Sequence, residues 1–174
     1  MRSVHVPPLH VLTDDEVLAR DDFDSLAREL LEGLGSAAAL HIRGPRTPGR
    51  RLYELATALT SVAAAAGSAV LVNDRVDVAM AAGAQGIHLG QRSLPVADAR
   101  GLVADGRLVG VSTHSLSEAQ EAQGADYVFF GNVFSTDSHP GREGQGVEAL
   151  RELLAPSTGG GLPAGVPVVA IGGV

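Results

Sequence analysis

Residues 69–90 read AVLVNDRVDVAMAAGAQGIHLG, and this stretch decides the fold class. The aliphatic run Ala69–Asn73 has the length of a buried strand, Val76–Ala82 has the pattern of a crossover helix, and Gly86–Leu89 is a second aliphatic run. A strand, a helix and a strand in this order form a βαβ unit, whose two strands run parallel. The stretch therefore predicts an α/β protein with a parallel sheet.

The same alternation runs along the whole chain. Further strands are predicted at Leu9–Thr13, Ala37–Ile42, Leu108–Val111, Tyr127–Phe130 and Val168–Ile171. Further helices are predicted at Phe23–Leu34, Arg50–Ala66, Pro95–Val103, Leu116–Gln123 and Val147–Leu154. Polar and glycine-rich residues follow nearly every strand instead of clustering at one crevice, which favours a closed TIM (β/α)8-type parallel barrel over an open doubly wound sheet.

The length of the chain bounds this barrel. A complete eightfold barrel takes about 200 to 250 residues, whereas this sequence has 174 and ends just after its seventh predicted strand. We therefore predict a single barrel domain over residues 1–174 from which the C-terminal one or two βα units are missing, with truncation as the favoured reason.

Composition excludes several kinds of chemistry. The chain has no cysteine, so it forms neither a disulfide nor a cysteine-ligated metal site, and all 13 basic residues are arginine, which excludes a lysine Schiff base. The net charge of −7 and the dispersed arginines argue against nucleic-acid binding. No apolar run approaches the roughly 18 residues of a membrane span, and no secretory signal is visible, so a cytoplasmic location is predicted.

Polar side chains follow strands two to four. His41 and Arg43 alternate onto one side of strand two, and Arg43 suits a bidentate contact with phosphate or carboxylate. Asn73 and Asp74 end strand three, where capping of the next helix and metal binding both remain open. Gln91 follows strand four.

Strand five is followed by Ser112 and His114, and then by a capping box that begins at Ser115 and ends at Glu118. The box places His114 just before a helix N-terminus, which disfavours the charged form of an imidazole. His114 is therefore the best candidate for acid–base catalysis, and a solvent-facing loop histidine is the alternative.

The segments after strands six and seven suit an anion. Thr136 and Ser138 offer hydroxyl groups beside several glycines, and Gly172 and Gly173 follow strand seven, where TIM barrels often bind phosphate. Together these residues predict a phosphate cradle.

Taken in order, these motifs resemble the superfamily of thiamine phosphate synthase and thiazole tautomerase (TenI-like) proteins. The matching stretches are Leu12–Asp15, Leu40–Arg43, Val72–Asp77, Ile87–Gln91, Gly110–Ser115, Ala125–Gly131 and Ala170–Gly173. The resemblance implies a TIM barrel that acts in thiamine biosynthesis on a small phosphorylated thiazole.

Two activities occur in this superfamily. The resemblance implies that a synthase would join thiazole phosphate to hydroxymethylpyrimidine diphosphate, with Arg43 and Asn73 on the diphosphate and Asp74 on magnesium. The family's second aspartate falls on Ser93 here, and its two lysines fall on Pro45 and approximately His139. Since these losses all concern diphosphate and metal, we expect instead the cofactor-free thiazole tautomerase, an isomerase that makes the aromatic thiazole carboxylate phosphate.

The tautomerase interpretation assigns each candidate a role. His114 would move the proton, and Arg43 would pair with the substrate carboxylate. The remaining substrate contacts would come from His41, Gln91, Ser112, Thr136, Ser138, Gly172 and Gly173. The synthase is the first alternative, and a non-catalytic protein that binds thiazole phosphate is the second. A homo-oligomer would cover the apolar surface at the seven-stranded end.

Overall fold

The computed structural model describes residues 5–136, 144–155, 162 and 165–173. Within these residues, seven strands form one parallel sheet in sequence order, and helices lie between them. The strands are β1 (Leu9–Leu12), β2 (Ala38–Ile42), β3 (Ala69–Asn73), β4 (Gly86–Leu89), β5 (Leu108–Thr113), β6 (Tyr127–Gly131) and β7 (Val168–Ile171). The predicted parallel α/β barrel of TIM type is confirmed.

Each predicted helix is present with small shifts at its ends. The helices are α1 (Asp15–Leu18), α2 (Phe23–Leu34), α3 (Gly49–Ala66), α4 (Val76–Ala82), α5 (Val96–Leu102), α6 (Leu116–Glu121) and α7 (Gly146–Leu154), with a 3₁₀ turn at Gly35–Ala37. The short α1 was not predicted. Its N-cap is Asp14, whose Oδ1 accepts a hydrogen bond from Val17 N at 2.8 Å. No helix in the described part of the chain is long and apolar enough to span a membrane.

Alternation along the strands divides the core into two layers. One set of side chains packs outward against α2, α3 and α4, and it includes Leu40, Ile42, Val70, Val72 and Ile87. The other set fills the barrel interior, and it includes Ala39, Leu71, Leu108, Tyr127 and Phe129. The described interior of the barrel is therefore packed with side chains, as in other barrels of this type.

Gly110 in β5 makes space for an aromatic side chain of the interior. A Cβ atom at this position would lie 2.0 Å from Cζ of Tyr127, the neighbouring residue in the β5–β6 register. Any larger residue would push this ring out of its place. The glycine thus lets the Tyr127 hydroxyl reach across the interior toward β4.

Candidate functional site

Thr13 joins the ends of β1 and β2. Its Oγ1 lies 3.0 and 2.9 Å from the carbonyl oxygens of His41 and Arg43, which share its one hydrogen, and it accepts from Arg43 N at 2.8 Å. The Thr13 side chain is buried, so these bonds are shielded from water. They hold the backbone of Arg43 at the end of the barrel.

The Arg43 side chain is half-buried and makes no ion pair or hydrogen bond with any described residue through its guanidinium. Burial, the neighbouring His41 and His10 rings, and the charge of Arg43 lower the pKa of His88 well below its ordinary value. Arg43 directly follows β2, so its backbone lies at the carboxyl end of the strands (the barrel mouth), and its charge acts on the His88 ring inside the barrel. A half-buried cation there attracts an anion from outside the chain.

Two histidines and an asparagine form a hydrogen-bonded row beneath this mouth. Nδ1 of His10 lies 2.8 Å from Nε2 of His41, and Nδ1 of His41 lies 2.9 Å from Oδ1 of Asn73. His41 is fully buried, and burial, then the nearby His10, lowers its pKa to about 3. Both ring nitrogens of His41 are already hydrogen-bonded within the chain, and its predicted substrate contact stays a prediction.

A second row starts from β6. The Tyr127 hydroxyl lies 3.0 Å from Nδ1 of His88, and Nε2 of His88 lies 2.9 Å from Oγ of Ser112. Tyr127 and His88 are almost completely buried, whereas Ser112 at the end of β5 is half-exposed. The row therefore connects the packed interior to the polar edge of the barrel.

Asp74 lies at the junction of β3 and α4 with a left-handed backbone, φ 62°. Its Oδ1 accepts hydrogen bonds from Gly90 N, at 2.9 Å, and from the Ser93 hydroxyl. The described residues contain no group of three or more His, Cys, Asp or Glu side chains placed to hold a metal. Magnesium needs only one or two carboxylates when substrate phosphates supply further oxygens, so Asp74 fits that mode of binding.

The N-cap predicted at Ser115 is confirmed, while the return bond of the capping box comes from His114 N instead of Ser115 N. Oγ of Ser115 accepts from Glu118 N at 3.2 Å, and Oε2 of Glu118 accepts from His114 N at 2.7 Å. Gln91 also donates to the Glu118 carboxylate, at 3.1 Å. Burial would raise the pKa of Glu118, but the bonds from His114 and Gln91 outweigh it and lower that pKa.

His114 has one unsatisfied ring nitrogen. Its Nδ1 lies 3.4 Å from Oε2 of Glu118, is closed off from solvent, and has no hydrogen-bond partner within the described chain. The side chain is 23% exposed. His114 and Gln91 are therefore joined by one carboxylate that sequence reasoning had treated only as a cap.

The loops after β6 and β7 pack tightly. Gly172 and Gly173 have left-handed φ angles of 89° and 69°, and a Cβ on Gly172 would lie 2.4 Å from Cβ of Asn132. Val133 N and Phe134 N donate to the carbonyl oxygens of Ile171 and Gly172, both at 2.9 Å. Thr136 is half-buried near this loop pair, and Ser138 lies outside the described residues.

The family model described as thiamine monophosphate synthase matches residues 9–174, nearly the whole chain. The chain belongs to this family. The protein named thiamine-phosphate synthase of Methanoculleus marisnigri is 40% identical over 169 residues, which cover 95% of this chain and 76% of that protein. Its namesake in Chlorobium luteolum is 39% identical over 177 residues, covering 100% and 77% of the two chains.

A solved structure agrees with these relatives. The thiamine phosphate pyrophosphorylase from Pyrococcus furiosus is 34% identical, with a TM-score of 0.73, and the likeness covers 96% of this chain and 76% of that one. The expected tautomerase, and with it the isomerase class, is therefore wrong, since the synthases are transferases.

The error has a physical reason. The replacement of one aspartate by Ser93, and of two lysines, predicts a loss of metal and diphosphate binding. The Ser93 hydroxyl instead bonds to the Asp74 carboxylate, so the position remains part of a polar oxygen site. One carboxylate suffices for magnesium when phosphates complete its coordination. The missing charges therefore did not exclude synthase chemistry.

Sequence reasoning missed His10, Tyr127 and Thr13. The sequence could have indicated His10, because this residue lies two positions before Leu12 and therefore on the same, interior side of β1. A polar side chain on the interior side of a strand needs a hydrogen-bond partner. The identity of that partner depended on the pairing of β1 with β2, which alternation alone does not specify.

Proposed function

We propose that this chain is a thiamine-phosphate synthase that joins a phosphorylated thiazole to hydroxymethylpyrimidine diphosphate, releasing diphosphate in a magnesium-dependent reaction. The proposal is supported by the synthase relatives, which match nearly the whole chain. A cytoplasmic location and a homo-oligomer remain predictions that accompany it.

The observation that carries the proposal is the Arg43 guanidinium. It is half-buried at the barrel mouth and has no acidic partner within the described residues. A guanidinium presents paired N–H donors that match phosphate oxygens, and partial burial strengthens such a contact. Arg43 therefore binds the diphosphate in this proposal.

Asn73 and Asp74 follow on the neighbouring strand β3. Nδ2 of Asn73 would donate to a diphosphate oxygen, and Asp74 would hold magnesium together with the diphosphate. The bound ion would neutralise charge on the leaving diphosphate. In this arrangement one arginine, one amide and one carboxylate together bind the diphosphate and its magnesium ion.

The thiazole phosphate is assigned to the other side of the mouth. Thr136, Gly172 and Gly173 are proposed to hold it, with Ser112, Gln91 and His114 as further polar contacts, and Ser138 is kept as a candidate outside the described residues. Consecutive glycines with left-handed φ let backbone groups approach an anion closely. His114 is offered here as a substrate contact, since its proton-moving role belonged to the tautomerase.

The decisive assay gives the chain both substrates with and without magnesium. We expect diphosphate release only when thiazole phosphate, pyrimidine diphosphate and magnesium are all present. Release without the thiazole, or none with all three, would refute the proposal. Tight binding of the thiazole phosphate without turnover would instead favour a non-catalytic binding protein.

Arg43→Ala tests whether the Arg43 guanidinium binds the diphosphate. The loss of one charge-assisted contact should lower kcat/KM for the pyrimidine diphosphate by about 10- to 100-fold. Arg28→Ala is the matched control, because Arg28 pairs with Asp24 on the outer surface of α2. Equal kcat/KM values in the two variants would show that Arg43 does not bind the diphosphate.

A further inference from the structure

The hydrogen bonds that join His10, His41 and Asn73 all run in one direction, which the groups at the two ends of the row determine. Oδ1 of Asn73 is an acceptor, so Nδ1 of His41 carries the hydrogen of the 2.9 Å bond. A neutral His41 then has a bare Nε2, which accepts from Nδ1–H of His10 at 2.8 Å. All donors in the row therefore point from the barrel floor toward Asn73.

The far end of the row agrees with this direction. Nε2 of His10 is closed off from solvent and has no hydrogen-bond partner in the described residues. The opposite direction would put a hydrogen on that nitrogen and leave a buried donor unsatisfied, which is rarer and costlier than an unsatisfied acceptor. The row therefore begins with a bare acceptor at His10.

The other end of the row leaves the Asn73 amide nitrogen available. Oδ1 of Asn73 accepts the hydrogen bond from His41, and Nδ2 of Asn73 makes no hydrogen bond with any described residue. Within the described residues, the fully enclosed side-chain atoms without a partner are His10 Nε2 and His114 Nδ1, and Asn73 Nδ2 is not among them. Nδ2 is thus an unpaired donor that keeps some accessible surface at the end of β3.

We propose that His41, held by His10, is a positioning residue that locks the Asn73 side chain with its amide nitrogen toward the diphosphate. The proposal rests on the proposed synthase function. An amide has nearly the same shape when turned by 180° about χ2, and the turned form would present its oxygen to an anion. The hydrogen bond from His41 removes that second orientation.

The row is stable near neutral pH. Burial lowers the pKa of His10 to about 4, against a smaller opposing contribution from the Pro7 carbonyl, and burial also lowers the pKa of His41 to about 3. His88 faces the row from β4, Tyr127 and Phe129 face it from β6, and the charge of Arg43, just after β2, acts on His88. Both histidines therefore remain neutral, as the row requires.

The first test is a double-mutant cycle between His41→Leu and Asn73→Ala, read by calorimetric binding of inorganic diphosphate with magnesium. We expect His41→Leu to weaken binding about tenfold when Asn73 is present and less than twofold in the Asn73→Ala background. An equal loss in both backgrounds would overturn the proposal, because a general structural defect does not depend on Asn73.

The second test reads the tautomers of the unmodified protein by ¹⁵N NMR of labelled histidine. We expect His10 and His41 both to be protonated at Nδ1. Protonation of either ring at Nε2 overturns the proposal, even in an active enzyme. If His41→Leu does not fold, His10→Phe replaces it in the cycle, since a phenyl ring keeps the aromatic contacts of His10.

The outcomes separate this inference from the proposed function. Nδ1 tautomers and Asn73-dependent diphosphate binding without turnover would refute the synthase assignment alone. Turnover accompanied by Nε2 tautomers would refute the positioning role alone.

Discussion

The Ser93 hydroxyl donates a hydrogen bond to Oδ1 of Asp74, between the loops that follow β4 and β3. Gly90 N donates to the same oxygen, and a Cβ on Gly90 would lie 3.0 Å from it. Because both donors use Oδ1, the other carboxylate oxygen is left without a hydrogen bond from the described residues. That oxygen is the one suited to a cation.

Ser93→Asp should increase the response of the protein to magnesium. Two facing carboxylates repel each other without the ion, so we expect a lower Tm than wild type in chelator and a larger rise on adding magnesium. Magnesium at ten times its Kd would add about 1.4 kcal/mol. Ser93→Ala is the control and should show no such gain. Equal magnesium-induced shifts in Ser93→Asp and wild type would contradict this prediction.

Gly110→Ala should destabilise the barrel by about 1 to 3 kcal/mol, because the added methyl group meets the Tyr127 ring in a packed interior. Urea unfolding measures the change. Gly33→Ala is the control, since a Cβ there meets nothing within 4 Å in helix α2. That control should be neutral or stabilising by up to about 1 kcal/mol. Similar unfolding free energies for the two variants would mean that Tyr127 can move aside.

Tyr127→Phe should lower the free energy of unfolding by about 1 to 3 kcal/mol, because it leaves Nδ1 of the buried His88 without its partner. Tyr53→Phe, on a residue 40% exposed, is the matched control and should change little. Equal effects of the two substitutions in urea unfolding would show that the His88 bond contributes nothing measurable.

Stability should fall as pH decreases below about 6.5. The folded pKa values of His10 and His41 are about 4 and about 3, below the ordinary 6.5, so the unfolded chain binds more protons in this range. The contribution of the two neutral histidines to the free energy of unfolding is therefore fully present above pH 6.5. It is lost as the pH falls toward 3 to 4, by up to about 1.4 kcal/mol per pH unit for each histidine.

Urea unfolding at pH 7, 6 and 5 measures this slope. His41→Leu should reduce this slope, since His10 and His88 still contribute, whereas His5→Gln, at an exposed position, is the control and should keep the wild-type slope. A wild-type slope in His41→Leu would show that the buried histidine does not couple protonation to folding.

Much of the fold was predictable from local pattern. The strand Ala69–Asn73 and the helix Val76–Ala82 were predicted to the residue, because glycine and polar residues bound both segments. The N-cap at Ser115 was also predicted, since its spacing from Glu118 is a local property. Helix α1 was missed because four residues are too few to show a helical period.

The candidate site was less predictable. Arg43 and Asn73 were candidates because of their places at strand ends, and their roles stay predictions. The choice between two activities rested on single missing charges. The synthase relatives overturned that choice. A missing charge at one position does not show how the neighbouring groups compensate, as the bond between Ser93 and Asp74 illustrates.

By itself the sequence determined the parallel α/β barrel, because strand and helix periods are set by residues close together in the chain. It also determined the family, because the family's motifs are short stretches in a fixed order. Only the tertiary structure decided which side chains share hydrogen bonds inside the barrel. His10 is 31 positions from His41, and His41 is 32 positions from Asn73. Contacts at such separations depend on strand register and on the space left by neighbouring side chains, and neither is encoded in a local pattern.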